Sequence, residues 1–474
     1  MKTILTPIAL ALSLAFTAGA AQAQLVDIID GTSNTLVIGG GVRNNLKPTS
    51  LGDGSVRNVA PAAAAFSLTT NGTVSGSITQ NNAGNTANTR QTALVGSALG
   101  STSGGSVTTQ GTLAGTLTQA GAGSGASATQ VTSIAGIQNG LTSTGSADLH
   151  GSVVADLTQS SRGPAAAGAS GFQSIDVGGV NSASGNSLVT NGSVTGAGVI
   201  QGSGGFGKQE LRVGSLVGAT VDAAVTNGLI SAQVNQSESA SSGFSQQIVN
   251  VGSIRASQAR SVTTTGQLAG DLTQTQLAGT TQQVNIGSVN SLDASGTVTT
   301  NGLVTGKVNQ NATGATVQQL SVAEVLNGAQ PDSHASASVS GAVNQTSGAA
   351  GGQQTISAGS IDRAGATTST DATVGASITQ VLTAAAGSTS TQDVSIGSTR
   401  NTTGAVTTHA AVNGTIAQAS GSAATQQTIL LGSVRDTASS VKTNAVVNGS
   451  LSQSTSASGQ TQSILIGSAV GVGS

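Results

Sequence analysis

Thr281–Gln310 reads TQQVNIGSVNSLDASGTVTTNGLVTGKVNQ, and its pattern returns, decayed to different degrees, along most of the 474-residue chain. Its first part is Gln282-x-Val284-x-Ile286-Gly287-Ser288-Val289, here called strand A. Its second part is Val298-x-Thr300-x-Gly302-x-Val304-x-Gly306-x-Val308-x-Gln310, here called strand B. Apolar residues recur every second position, which places them on one face of a β-strand rather than on a helix stripe.

Two glutamine columns define the period. The strand A glutamine is Gln91, Gln130, Gln173, Gln209, Gln247, Gln282, Gln318, Gln354, Gln392, Gln427 and Gln462, followed four residues later by Val, Ile, Leu or, at Ala358, Ala. The strand B glutamine is Gln80, Gln119, Gln159, Gln201, Gln236, Gln274, Gln310, Gln345, Gln380, Gln418 and Gln453, each with an Ile, Leu or Val two residues before it. Successive copies are 35 to 43 residues apart, a period that signals an array of stacked units. The expected fold is all-β: a stacked-coil β-solenoid of about eleven such repeats, with two main strands per coil.

The charges agree with this facing. Asp156, Asp271 and Lys307 each stand three residues before a strand B glutamine, on the parity opposite Leu157, Leu272 and Val308, so they point outward. Strand A breaks parity at its glycine, which marks a corner. The Asn-Gly pairs at Asn71, Asn191, Asn227 and Asn301 are strong hairpin signals, but the alternation runs through them, which favours a corner or a continuous strand. The fourth unit has one extra residue before Gln201, and a bulge over Gly196–Gly198 would restore its parity. Stacking coils sets each inward amide against the amides above and below, which satisfies groups that are costly to bury alone.

Residues 1–23 have Lys2 in a short head, an apolar run from Ile8 to Phe16 and Ala21-Gln22-Ala23, the pattern of a secretory leader with a small-residue cleavage site. The run is shorter than the roughly 20 residues of a membrane span. Residues 24–65 read as a degenerate first coil, or a capping or targeting segment, in which Asn34-x-Leu36-x-Ile38-Gly39 copies strand A with Asn for Gln; residues 66–474 are the array. Pro48, Pro61, Pro164 and Pro331 all avoid the patterned strands, and the variable connections, such as Ser160 to Phe172, are rich in Gly, Ala and Ser. The chain is therefore expected to be secreted, extracellular or at the cell surface.

Cysteine, Trp and Tyr are absent, and the net charge is −2. Cohesion must come from backbone ladders and stacked side chains, with little self-repulsion to keep copies apart. Periodic Val and Ile argue against disorder. No basic patch with interleaved aromatics supports nucleic-acid binding. His150 and His409 occupy the place of Asn71, Asn227 and Asn301 in coils far apart, and with His334 they do not converge as metal ligands would. Asp53, Asp222, Glu238, Glu324 and Asp393 fall on unrelated registers, so neither a catalytic pair nor a cofactor site is expected. Outward Thr, as at Thr69, Thr73, Thr108 and Thr112, is read as β-propensity on a solvated strand.

The paired inward glutamines with intervening glycine make the array resemble the curli-type secreted amyloid-like subunits, with a longer unit and without that family's aromatic residues. The Asn-Gly-x-Val segments are similar to filamentous haemagglutinin repeats. The curli resemblance implies stacked β-arches, an exported structural subunit of an extracellular fibre or biofilm matrix, head-to-tail contact with copies of itself, and an outer-membrane secretion pore. The alternative is a monomeric solenoid adhesin or stalk that binds a surface or a polysaccharide.

Overall fold

The computed structural model describes residues 26–29, 33–38, 68–82, 88–103, 105–121, 127–143, 145–161, 170–196, 198–239, 245–277, 281–314, 316–326, 332–348, 351–383, 389–421, 425–437, 439–456 and 460–471. Residues 1–23, Pro48, Pro61, Pro164, Pro331, Asp53 and most of the Ser160–Phe172 connection lie outside them.

The described chain is a β-solenoid of parallel strands in three sheets, of twelve, nineteen and twelve strands. In the reference coil, strand A is Thr281–Ile286. After the corner come Val289–Ala294 and Thr297–Val304, and after a turn Val308–Ala312. Each strand pairs with its counterpart one repeat away, as Gln282 does with Gln247 and Gln318, and Gln310 with Gln274 and Gln345. Both glutamine columns hold this register throughout. Asn34 lies in register with Gln91, so Ser33–Ile38 occupies a strand A position.

Strand B is shared between two sheets. Thr297–Val304 belongs to the nineteen-stranded sheet and Val308–Ala312 to a twelve-stranded one, with the turn at Thr305–Lys307 between them. Val304, Gly306 and Val308 are all buried, so the step across the turn from Val304 to Val308 is an even number of positions and leaves the alternation intact. A period-two pattern cannot reveal a turn of that kind. The fourth unit is corrected on the same ground. Val194 pairs with Val153 and Val199 with Leu157, so the extra residue is taken up in the turn between the two strands and no bulge within a strand is required.

Asn71, Asn191, Asn227 and Asn301 all sit inside strands of the nineteen-stranded sheet, every pairing of which is parallel. They form no hairpin. The glycine after each faces inward because the strand A corner presses against it. Gly252, at that corner, has φ +56°, in the left-handed region where a side chain is disfavoured. A Cβ on Gly228 would lie 2.2 Å from Gly252 N and 2.4 Å from Val213 O.

This contact is a waist that divides the interior. On one side Val284, Ile286, Val304 and Val308 join the main core. On the other, Val289 and Val298 belong to a second core with Ile254, Val262 and Val325. From Ala337 onward the inward waist residue is alanine, with Ala337, Ala372, Ala410 and Ala445 in register beneath Gly302.

The outer side of strand A differs from the alternating expectation. Gln283 and Asn285 point away from the main core yet are only 5% and 4% exposed. The short strand that follows the corner folds back beside them, as the Arg400–Asp393 ion pair between its coil's equivalents shows at 2.7 Å. An inside elbow therefore covers the end of strand A.

Candidate functional site

The glutamines expected to stack do so. Gln310 Nε2 donates to Gln274 Oε1 at 2.9 Å, and Gln345 Nε2 donates to Gln310 Oε1 at 2.8 Å. The same bond joins every successive pair from Gln80 to Gln453, at 2.6–2.9 Å. The other column is joined likewise from Gln91 to Gln462, at 2.7–3.1 Å. All donate in one direction along the stack, so each rung presents its amide oxygens to the next.

The same amide nitrogens also tie two sheets together. Gln282 Nε2 donates to Asn311 O at 3.0 Å, across the arch, and Gln310 Nε2 donates back to Gln319 O at 3.2 Å. An amide carries two N–H donors, and here one runs along the axis and one across it. The columns thus satisfy buried polar groups, align rungs and close the mouth of the arch below the variable connection.

Sequence reading assigned no role to the Thr of Thr-Asn-Gly or the Ser of Gly-Ser. Thr226 Oγ1 donates to Gly252 O at 2.7 Å, Thr190 to Gly214 O at 2.8 Å and Thr370 to Gly397 O at 2.7 Å, each capping the corner carbonyl of the next rung. Ser253 Oγ is placed to bond Val251 O at 3.0 Å and Asn285 O at 2.9 Å, and it accepts from Ser288 N at 3.2 Å. The recurrence of both motifs at fixed distances from the glutamines was the available signal.

Charge is concentrated in the elbow over two neighbouring rungs. Arg212 and Asp176, both essentially buried, pair at 3.1 Å, and Lys208 meets Glu210 at 2.7 Å. Burial works to raise the Glu210 pKa, but Arg212 and then Lys208 hold it below the ordinary carboxylate value. Asp176 and Arg212 stand three residues after Gln173 and Gln209, so their opposition could have been read from the column register. Glu324 takes the place of the corner serine, between the equivalents Ser288 and Ser360, and burial pushes its pKa up while the hydroxyls of Ser321 and Ser357 bond to it.

Glu238 closes the inner end of its strand and accepts a hydrogen bond from Ser245. Burial raises its pKa from 4.5 to about 7, against the lowering effect of that bond. At pH values below 4.5 the group is protonated in both states, whereas up to about 7 only the folded chain retains the proton. Stability therefore falls as pH rises through that window, by about 3 kcal/mol at most. The next rung carries Gln276 at this position. Glu238→Gln is expected to raise the denaturation midpoint at pH 8 and leave it unchanged at pH 4, in paired urea titrations; an equal effect at both pH values would remove the assignment.

The histidines do not converge. His150 Nε2 contacts Asp148 Oδ1 at 2.9 Å, and His409 Nδ1 contacts Asp371 Oδ1 at 2.8 Å, both exposed on the nineteen-stranded sheet. Among the described residues no group of three or more His, Cys, Asp or Glu is placed to hold a metal. No helix among them is long and apolar enough to cross a membrane. Asp156, Asp271 and Lys307 are exposed at the turn, and Asp271 Oδ1 accepts from Lys307 N at 2.9 Å.

No family model, curated protein or solved structure matches the chain.

Proposed function

We propose that the chain is an exported, non-enzymatic structural subunit of an extracellular fibre or biofilm matrix, adding head to tail to copies of itself. The observation that carries this reading is the pair of amide columns, which donate in one direction through every described rung up to the face of Thr461–Ile466. Ile464 and Ile466 are 41% and 44% exposed, whereas their register partners Ile429 and Leu431 one rung back are fully buried. Val446 and Val470, on the nineteen-stranded sheet, are exposed as well.

That face also offers the amide oxygens of Gln453 and Gln462, since both amide nitrogens donate back into the stack. Exposed strand edges are usually blocked by charge or proline. Residues 453–474 contain neither. At the other end Asn34 stands in the glutamine column. A second copy docked there would continue the strand A amide column through Asn34, while Ile28 stands in register with Gln80 in the other column; such a contact does not close on itself and so grows filaments. Stacked amide ladders are the feature in common with curli-type subunits, and export by way of an outer-membrane pore accords with the leader-like residues 1–23.

Purified chain lacking residues 1–23 is expected to form concentration-dependent filaments visible by electron microscopy, with a repeat near ~4.7 Å along the axis. Ile464→Lys with Ile466→Lys should slow growth while the circular dichroism of the monomer is unchanged. A protein that stays monomeric by sedimentation at high concentration, or a double variant that polymerises as fast, would overturn the fibre reading in favour of a monomeric stalk or adhesin.

A further inference from the structure

The outer face of the nineteen-stranded sheet carries a groove of about 520 Å³ that runs along the stack over six rungs, from Asn71 to Thr265. One wall is the column Asn71, Gln110, His150, Asn191, Asn227 and Thr265, in mutual register. The facing wall, two residues on, includes Thr112, Ser152 and Ser193. Between them the floor is backbone at the waist glycines Gly151, Gly192 and Gly228, whose missing side chains let the strand close on the strand A corner.

We propose that this groove binds an extended, uncharged glycan chain lying along the solenoid axis. Apart from Leu229 and the His150 imidazole, its walls offer amides and hydroxyls, each able to donate and accept, as sugar hydroxyls require. Asn227 Nδ2 donates to Asn191 Oδ1 at 2.9 Å, and Asn191 Nδ2 to Leu149 O at 3.3 Å, which orients these two amides. No Lys, Arg, Asp or Glu lines the groove, which disfavours nucleic acid and acidic polymers.

The repeat distance selects among neutral polymers. Rungs recur at roughly 4.8 Å, close to the rise of one residue in an extended β-1,4-linked chain. Same-face side chains of an extended peptide recur at roughly 6.8 Å, out of step with the rungs. A peptide also needs a free strand edge for its backbone, and this face offers side chains. The site is independent of the end face and does not rest on filament growth.

The test titrates the monomeric full chain with linear oligomers of β-1,4-linked glucose, xylose, mannose and N-acetylglucosamine. At least one series is expected to bind, with affinity rising up to about six units, the number of lining rungs. The triple variant Gln110→Ala, Asn227→Ala and Thr265→Ala should weaken binding at least tenfold. Asn309→Ala, outward on another sheet, should leave it within twofold. Binding of none of the four series at millimolar concentration overturns the proposal. So does an affinity that ignores chain length, or equal losses in the triple and Asn309 variants.

Discussion

Val308→Asp is expected to lower local stability by several kcal/mol, the largest effect of any single change in its rung. The side chain is fully buried in the main core, so the substitution removes roughly 1.5–3 kcal/mol of apolar burial and leaves a carboxylate without a partner. Lys307→Ala, one residue away, should change stability by less than ~0.5 kcal/mol, because Lys307 is exposed at the turn and the bond to Asp271 comes from its backbone nitrogen. Gln310→Ala belongs between them. It removes one member of the amide column and deprives Gln345 Nε2 of an acceptor, for roughly 1 to 3 kcal/mol. Hydrogen exchange of the surrounding peptides reads this order directly, since a stacked array opens locally. A cost for Lys307→Ala above that for Val308→Asp would refute the facing of the whole strand.

Gly228→Ala should be nearly as damaging despite adding one methyl group. The new carbon would stand 2.2 Å from Gly252 N and 2.4 Å from Val213 O, and both are backbone atoms held by ladders on either side. Overpacking commonly costs ~1–3 kcal/mol, and a site where only backbone can yield lies at the upper end or beyond. Ala372→Gly is the reciprocal change at the same waist position, and there the expected loss is only ~1 kcal/mol, from chain entropy and lost contact. Denaturant midpoints of the two variants should differ in that order. Equal midpoints would mean that the waist can widen without cost.

How much of this was legible in the sequence depends on what repeats with the period. The glutamine columns, the corner at Gly287 and the outward place of Lys307 follow from alternation and recur in every copy, so they could be read without coordinates. The turn at Thr305–Lys307 could not, because it preserves parity. The second core around Val289 and Val298 escaped for a related reason: those residues continue the apolar pattern, and nothing in a pattern says which core a residue enters. The covered outer side of strand A was hidden because Gln283 and Asn285 are polar and alternate as exposed residues would. The groove on the outer face needed the waist, whose paired glycines lie some two dozen residues apart in sequence.

A chain whose rungs all carry the same two glutamines is exposed to one error above others: skipping a repeat. If one unit looped out during folding, every amide would still find an amide, and both cores would still close. The elbow charges forbid this locally. Arg212 makes its close 3.1 Å pair only with the rung that carries Asp176; Glu210 on its own strand is farther, at 4.0 Å, and is shared with Lys208. A mis-stacked array would set the guanidinium against Ser133 on one side, or an unmatched carboxylate against Asn250 on the other. Breaking one side of a buried pair costs about 3–5 kcal/mol, more than the ladder recovers per rung. One irregular pair in a repetitive stack thus acts as a counting mark, fixing which repeat lies next to which.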